Sequence, residues 1–394
     1  MGCMRKHRII AGAAIMTSLT TILAGTAFAG SAPPGALPPL NPATLRAAMA
    51  GLPNSTVTGE LVKISGPAGR WNGTSGVSDV QTKAPVDVNG NFRIGSISKI
   101  FTATVILKLV AGNRVDLNQT VQHYLPGLLP RKWPAITVGE LLNHTSGLPG
   151  QSTLPNGDAT WFAAHRFESW TPRQVVESYA GDQMAFTPGT KQEYNGLNYF
   201  LAGMIAQSVT GDSYASLVRR WIIAPLGLKH TSVPDRNDPY LPEPYSHGYI
   251  RTDHGLVDVS EQSPWPWAEG GLISDADDLA TALRAMIGGK LLPPAETALL
   301  FQVPDVPYAG TSDCNIGPLA GHACYSEGLE SATLPNGVVI WGKTGQRPGY
   351  TSGVFADRDL KRVTVYSMNP TGDSDGSEMP YVLKLAAAAF DPGL

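Results

Sequence analysis

Ser96-Ile97-Ser98-Lys99 follows Gly95 and opens an apolar run, a Ser-x-x-Lys spacing that can make a nucleophile of a hydroxyl. A serine at a helix N-terminus sits at the positive end of the helix dipole, beside backbone N–H groups without intrahelical partners. Such donors suit the oxyanion of an acyl transfer. Lys99 lies one turn on, over the same face, so its amine reaches the Ser96 hydroxyl. Burial near a second cation would lower that amine toward a usable base. Alone the motif is weak. It arises by chance about once in a chain of this size, and the plain alternative is a helix cap followed by an exposed lysine.

Two further elements add weight. Lys343-Thr344-Gly345 follows the β-rich run Val338-Val339-Ile340-Trp341, and a specified tripeptide occurs by chance on the order of one time in twenty. Glycine lets backbone approach a ligand, threonine offers a hydroxyl and lysine a positive charge. Tyr194, in Gln192-Glu193-Tyr194-Asn195-Gly196, is a phenol that two lysines could turn into a general base or acid. No Gly-x-Ser-x-Gly elbow accompanies these residues, which leaves a Ser-His-Asp hydrolase without support.

The elements that must carry these groups are legible in outline. A helix is expected near Thr44–Gly51, a strand over Val57–Ile64 and a second strand ending near Trp71. From Ser96 to Gly112, apolar residues populate most sides of the helical wheel, so this helix should be largely buried. Thr137-Val138-Gly139-Glu140 is a capping box, and Thr171-Pro172 a second helix start. Further helices are expected over 198–207 and 214–223, and Ser274-Asp275-Ala276-Asp277 opens another that runs to about Ile287. Strands return over Val338–Trp341, Ser352–Ala356 and Arg362–Met368, with Arg358-Asp359 as a hairpin turn and a closing helix over 381–390. Strands at both ends with helices between predict an α+β fold.

Ser96-x-x-Lys99, Tyr194 and Lys343-Thr344-Gly345, in that order, resemble the serine D-Ala-D-Ala carboxypeptidase and class C β-lactamase family. Similar to that family too are Phe92-Arg93-Ile94-Gly95-Ser96, the stretch Leu141 to Leu148 and Glu269-Gly270-Gly271-Leu272-Ile273-Ser274. Tyr124-Leu125-Pro126-Gly127 is similar to its secreted actinomycete-type carboxypeptidases. The resemblance implies a β-lactamase/transpeptidase-like antiparallel sheet flanked by helices, over 43–120 and 268–394, with a mostly helical domain inserted over 121–267. It implies Ser96 as the acylated nucleophile, with Lys99 and Tyr194 sharing proton transfer. Lys343, Thr344 and Gly345 would bind substrate, and the N–H groups of Ser96 and Gln346 would form the oxyanion hole. No cofactor or metal is implied. The expected partner is a small peptide, β-lactam or ester substrate, and the expected state a monomer.

One position departs from the pattern. The family's second motif usually reads Tyr-x-Asn, the asparagine holding the amide side chain of the substrate; here the third residue is Gly196, with Asn195 and Asn198 beside it. A glycine there is similar to some esterase members, so an esterase, a β-lactamase or a non-catalytic binding protein stand as alternatives. Arg347 could pair with a substrate carboxylate. Trp265 and Trp267 could wall the cleft or pack between domains, and His144 and Ser146 read as structural.

Composition sets the outer bounds. Arg5, Lys6 and Arg8, an apolar stretch to about Leu23 and Ala27-Phe28-Ala29 form an export signal over 1–29, followed by a Pro/Gly-rich flexible leader over 30–42. Export without a membrane anchor is expected. The net charge of −3 becomes more negative once the signal is removed, which argues against a nucleic-acid partner. Cys314 and Cys324 would then be the remaining cysteines, an even count that suggests one disulfide closing a short surface loop.

Overall fold

The computed structural model describes residues 35–310, 314, 317–372 and 375–392. The expected export signal and the start of the leader lie outside the described residues. Among those described, no helix is long and apolar enough to cross a membrane.

Alternating side chains build one six-stranded antiparallel sheet. Its strands are β1 (Val57–Ser65), β2 (Trp71–Gly76), β3 (Glu330–Thr333), β4 (Val339–Arg347), β5 (Tyr350–Asp357) and β6 (Val363–Pro370), in the order β2-β1-β6-β5-β4-β3. On β6, Val363 and Val365 join the larger core while Tyr366 and Met368 face the other side. On β1, Val57, Val62 and Ile64 share one face although 57 and 62 differ in parity. A register shift between Val57 and Glu60 supplies the extra residue that makes this fit.

The smaller core lies under two terminal helices, α1 (Pro42–Ala48) and α5 (Met379–Phe390), through Leu45, Leu385 and Phe390. Each such buried side chain contributes about 1.5–3 kcal/mol. The larger core covers the opposite face, packed by α2 (Ser98–Ala111), α3 (Leu197–Thr210) and α4 (Ala276–Ile287). Residues 98–107 of α2 are buried almost throughout, as its all-round apolar pattern predicts. The fold is α+β, of β-lactamase type.

Several boundaries differ from the sequence reading. The strand expected to end near Trp71 begins there, because Trp71–Gly76 is held by pairing to β1 rather than by its own Gly/Ser-rich composition. The turn between β5 and β6 spans 358–362 and contains Leu360 at φ 57°. The stretch 121–267 also holds a two-stranded hairpin, Tyr249–Thr252 with Gly255–Asp258. The described part of the leader is held: Leu37 and Leu40 pack on the smaller core, and the Pro38 carbonyl accepts from Arg362.

Candidate active site

Ser96 lies in a 3-10 turn, Gly95–Ile97, that feeds directly into α2. It is half-buried, while its neighbours from Asn91 to Ile100 are buried. Two close approaches set this turn against β4. Gly95 has φ 49°, and a Cβ there would lie 2.5 Å from the Gln346 backbone nitrogen. A Cβ on Gly345 would collide with the Ile94 carbonyl. Only glycine at both places lets the amide of Gln346 sit beside the turn that carries Ser96.

Lys99, one turn into α2, donates to Ser96 Oγ at 3.0 Å, and Tyr194 Oη lies 2.6 Å from the same oxygen. Lys343, on β4, points its Nζ to within 4.9 Å of the Tyr194 ring centre, the same distance as Lys99 Nζ. The ring thus lies within cation–π range of two lysine amines. Thr344 is exposed beside Lys343, whose Nζ reaches its hydroxyl at 3.3 Å. Three stretches distant in sequence meet here: the turn into α2, the Tyr194 segment and β4. The residues expected to converge do so.

His144 lies under Tyr194 with ring centres 4.6 Å apart. Burial, together with the charges of Lys99 and Lys343, holds its imidazole well below the ordinary histidine range, so it is neutral at pH 7. Its Nδ1 accepts from the Asn195 backbone and stands 3.0 Å from Asn198 Nδ2. Ser146 donates to Asn198 Oδ1 at 2.6 Å. Both residues therefore brace the Tyr194 segment, which matches their structural reading.

Two carboxylates escaped the sequence reading. Glu269 Oε2 lies 2.5 Å from Lys99 Nζ, and the Glu269 carbonyl accepts from the same amine at 2.8 Å. Burial pushes the Lys99 ammonium down to about 8; Glu269 opposes that shift and the Lys343 charge adds to it. Glu330, opposite Gly342 in the β3–β4 register, accepts from Lys343 Nζ at 2.7 Å. The only sequence signals were an acid directly before Gly270-Gly271 and an acid at the start of a short strand.

The remaining candidates lie outside this cluster. Asn195 donates to the Leu148 and Pro149 carbonyls, both at 2.9 Å, and Asn198 is fully buried, so neither flanking asparagine takes the place left by Gly196. Arg347 donates to the Ser263 carbonyl at 3.2 Å. Trp265 packs edge-on to Trp170, and Trp267 packs against Phe200 and Tyr214. Cys314 and Cys324 form the expected disulfide. Its loop is anchored to the site through Gln192, whose Oε1 accepts from the Cys324 and Tyr325 backbone.

Sheet, helices and this cluster together define a serine hydrolase of the β-lactamase and penicillin-binding fold. The chain belongs to the beta-lactamase family, whose model matches residues 54–388. Among solved structures it is similar to a D-stereospecific amidohydrolase from a Streptomyces species, with 31% identity and a TM-score of 0.76 over 90% of this chain and 100% of that one. It is also similar to the D-amino acid amidase of Ochrobactrum anthropi SV3, with 26% identity and a TM-score of 0.70 over 84% and 93% of the two chains. Protein flp of Staphylococcus aureus (strain MW2) is 29% identical over 208 residues, 52% of this chain and 40% of that protein. The chain thus spans less than half the length of that curated relative.

Proposed function

We propose that the chain is an amidohydrolase that acylates Ser96 with the D-amino-acid residue on the carbonyl side of an amide bond, then passes it to water or an amine. One observation carries this reading: a single hydroxyl within hydrogen-bond reach of both an amine and a phenol, at 3.0 and 2.6 Å. The stereochemical part is supported by the likeness to a D-stereospecific amidohydrolase and a D-amino acid amidase.

Lys99 remains largely an ammonium at pH 7, since its value is about 8. Tyr194, as phenolate, takes the Ser96 proton as the Oγ–carbonyl bond forms. The N–H groups of Ser96 and Gln346 hold the oxyanion. Tyr194 then gives that proton to the leaving nitrogen as the C–N bond breaks. Water repeats the sequence in reverse roles, losing a proton to Tyr194, which returns it to Ser96 Oγ as the ester opens.

A D-Ala-D-Ala carboxypeptidase or transpeptidase, trapped by penicillins, is the second reading. Thr344 favours it, as an exposed hydroxyl beside the Lys343 ammonium and placed to meet a terminal carboxylate. The sequence features of an export signal support an extracytoplasmic site of action. The test offers D- and L-amino acid amides, an acyl-D-Ala-D-Ala tripeptide and an L-peptide to the protein and to Ser96→Ala. Turnover of D-amides that is lost in the variant is expected. Equal rates on L-amides would remove the stereospecific reading, and D-alanine release from the tripeptide without amide turnover would favour the carboxypeptidase.

A further inference from the structure

We infer that Glu269 is a recognition group for a free α-ammonium on the acyl donor, so that the enzyme takes substrates with an unblocked amino terminus. The inference rests on the acyl-enzyme reading above and narrows its substrate class.

Gly196 stands where the family pattern has an asparagine, and the Glu269 carboxylate packs directly against it. A Cβ on Gly196 would lie 3.2 Å from Glu269 Oε2 and 3.7 Å from Oε1. Oε2 is taken by Lys99. Among the described residues Oε1 takes part in no hydrogen bond, and the side chain keeps 21% of its surface open. The nucleophile is near: Glu269 Oε2 to Lys99 Nζ is 2.5 Å and Lys99 Nζ to Ser96 Oγ is 3.0 Å. The carboxylate therefore lies within the sum of those two distances of the attacking oxygen. In an amino-acid substrate the α-nitrogen is roughly 2.5 Å from the carbonyl carbon under attack. A substrate seated on Ser96 thus brings its α-nitrogen into reach of Glu269.

The chemistry of the two possible occupants differs. An α-ammonium pairs with the open oxygen through a charge-assisted hydrogen bond. An acylated nitrogen brings a neutral carbonyl and a bulky group against a carboxylate, stripping its water without replacing the lost bond. The neighbouring asparagines, turned into the Leu148–Pro149 loop and the His144 cluster, supply no amide to receive an acylated nitrogen.

The experiment compares free and N-acetylated D-phenylalanine p-nitroanilide, with p-nitrophenyl acetate as an amine-free ester and a fluorophosphonate to label Ser96. It uses wild type, Glu269→Gln and Gly196→Asn; Gly196 has helical backbone angles that asparagine can adopt. Wild type should prefer the free amine in kcat/KM by roughly 10²–10³-fold. Both variants should cut that ratio at least tenfold, whatever their absolute rates. The anilide-to-ester ratio should also fall above about pH 8, where an α-ammonium loses its proton. Equal or better turnover of the acetylated anilide by a protein that labels at Ser96 would overturn the inference. So would a labelled wild type with no activity on the free amine, or an unchanged ratio in both variants. A protein that fails to label at Ser96 would overturn the hydrolase reading itself, and this proposal with it.

Discussion

In the cleft, Glu269 and Glu330 each face a lysine, at 2.5 and 2.7 Å. In the interior, Glu60 and Glu327 are buried with no ion pair among the described residues. Both Glu60 oxygens lack a hydrogen-bond partner there, and Glu327 has one, from Asn143 Nδ2 at 3.2 Å. Burial pushes both interior acids up to about 8, so that they are largely neutral at pH 7. The protein thus avoids an uncompensated buried charge in two ways. Around Ser96 it keeps the charge and pairs it; in the core it keeps the proton. The difference marks where charge is used, since lysines 99 and 343 flank Tyr194 and need counter-ions to stay buried.

Breaking the pairing in the cleft should have the largest consequence. Lys99→Ala removes the donor to Ser96 and leaves Glu269 without its cation. Ester kcat/KM should fall by roughly 10³–10⁴-fold. Lys343→Ala strips one of the two cations from Tyr194 and frees Glu330, with an expected loss of about 10²-fold on the same substrate. An unchanged rate in either variant would detach these lysines from the chemistry.

The interior acids sharpen the contrast through stability. Glu60 is raised in the folded state from 4.5 to about 8. Its favourable contribution is therefore complete below the unfolded value and is lost as pH rises through 8. Denaturant unfolding at pH 5 and pH 9 should show Glu60→Gln losing less stability than wild type, by on the order of 4 kcal/mol. Parallel pH profiles would show that the acid is not held neutral.

The smallest effect is a displacement along the pH axis. With an ester that carries no amine, activity should fall as Lys99 loses its proton near pH 8. Glu269 raises the Lys99 value, so Glu269→Gln should move that fall to lower pH, by roughly one unit. A fall that stays in place would show that the pair leaves Lys99 unaffected.

Much of this site was legible because its parts are short and local. Ser96 and Lys99 share one helical turn, and Lys343-Thr344-Gly345 sits on a strand marked by Val338–Trp341. Glu330 could not be read, because only the β3–β4 register sets it beside Lys343. Glu269 lay in a recognised segment but had no visible role, since its meaning comes from its packing against Gly196, 73 positions away in the chain. The sheet was foreseen wherever strands alternate in their own sequence. It was misplaced at Trp71–Gly76, where pairing to β1 overrides a turn-like composition, and missed at the short edge strand Glu330–Thr333.

Locating the covalent bond that the protein makes is the most direct check. A fluorophosphonate-treated sample is digested and the modified peptide sequenced by mass spectrometry. The predicted adduct sits on the hydroxyl at position 96, vanishes in Ser96→Ala and forms far more slowly in Tyr194→Phe. Modification at another residue, or a full yield from the Ser96→Ala protein, would contradict the assignment.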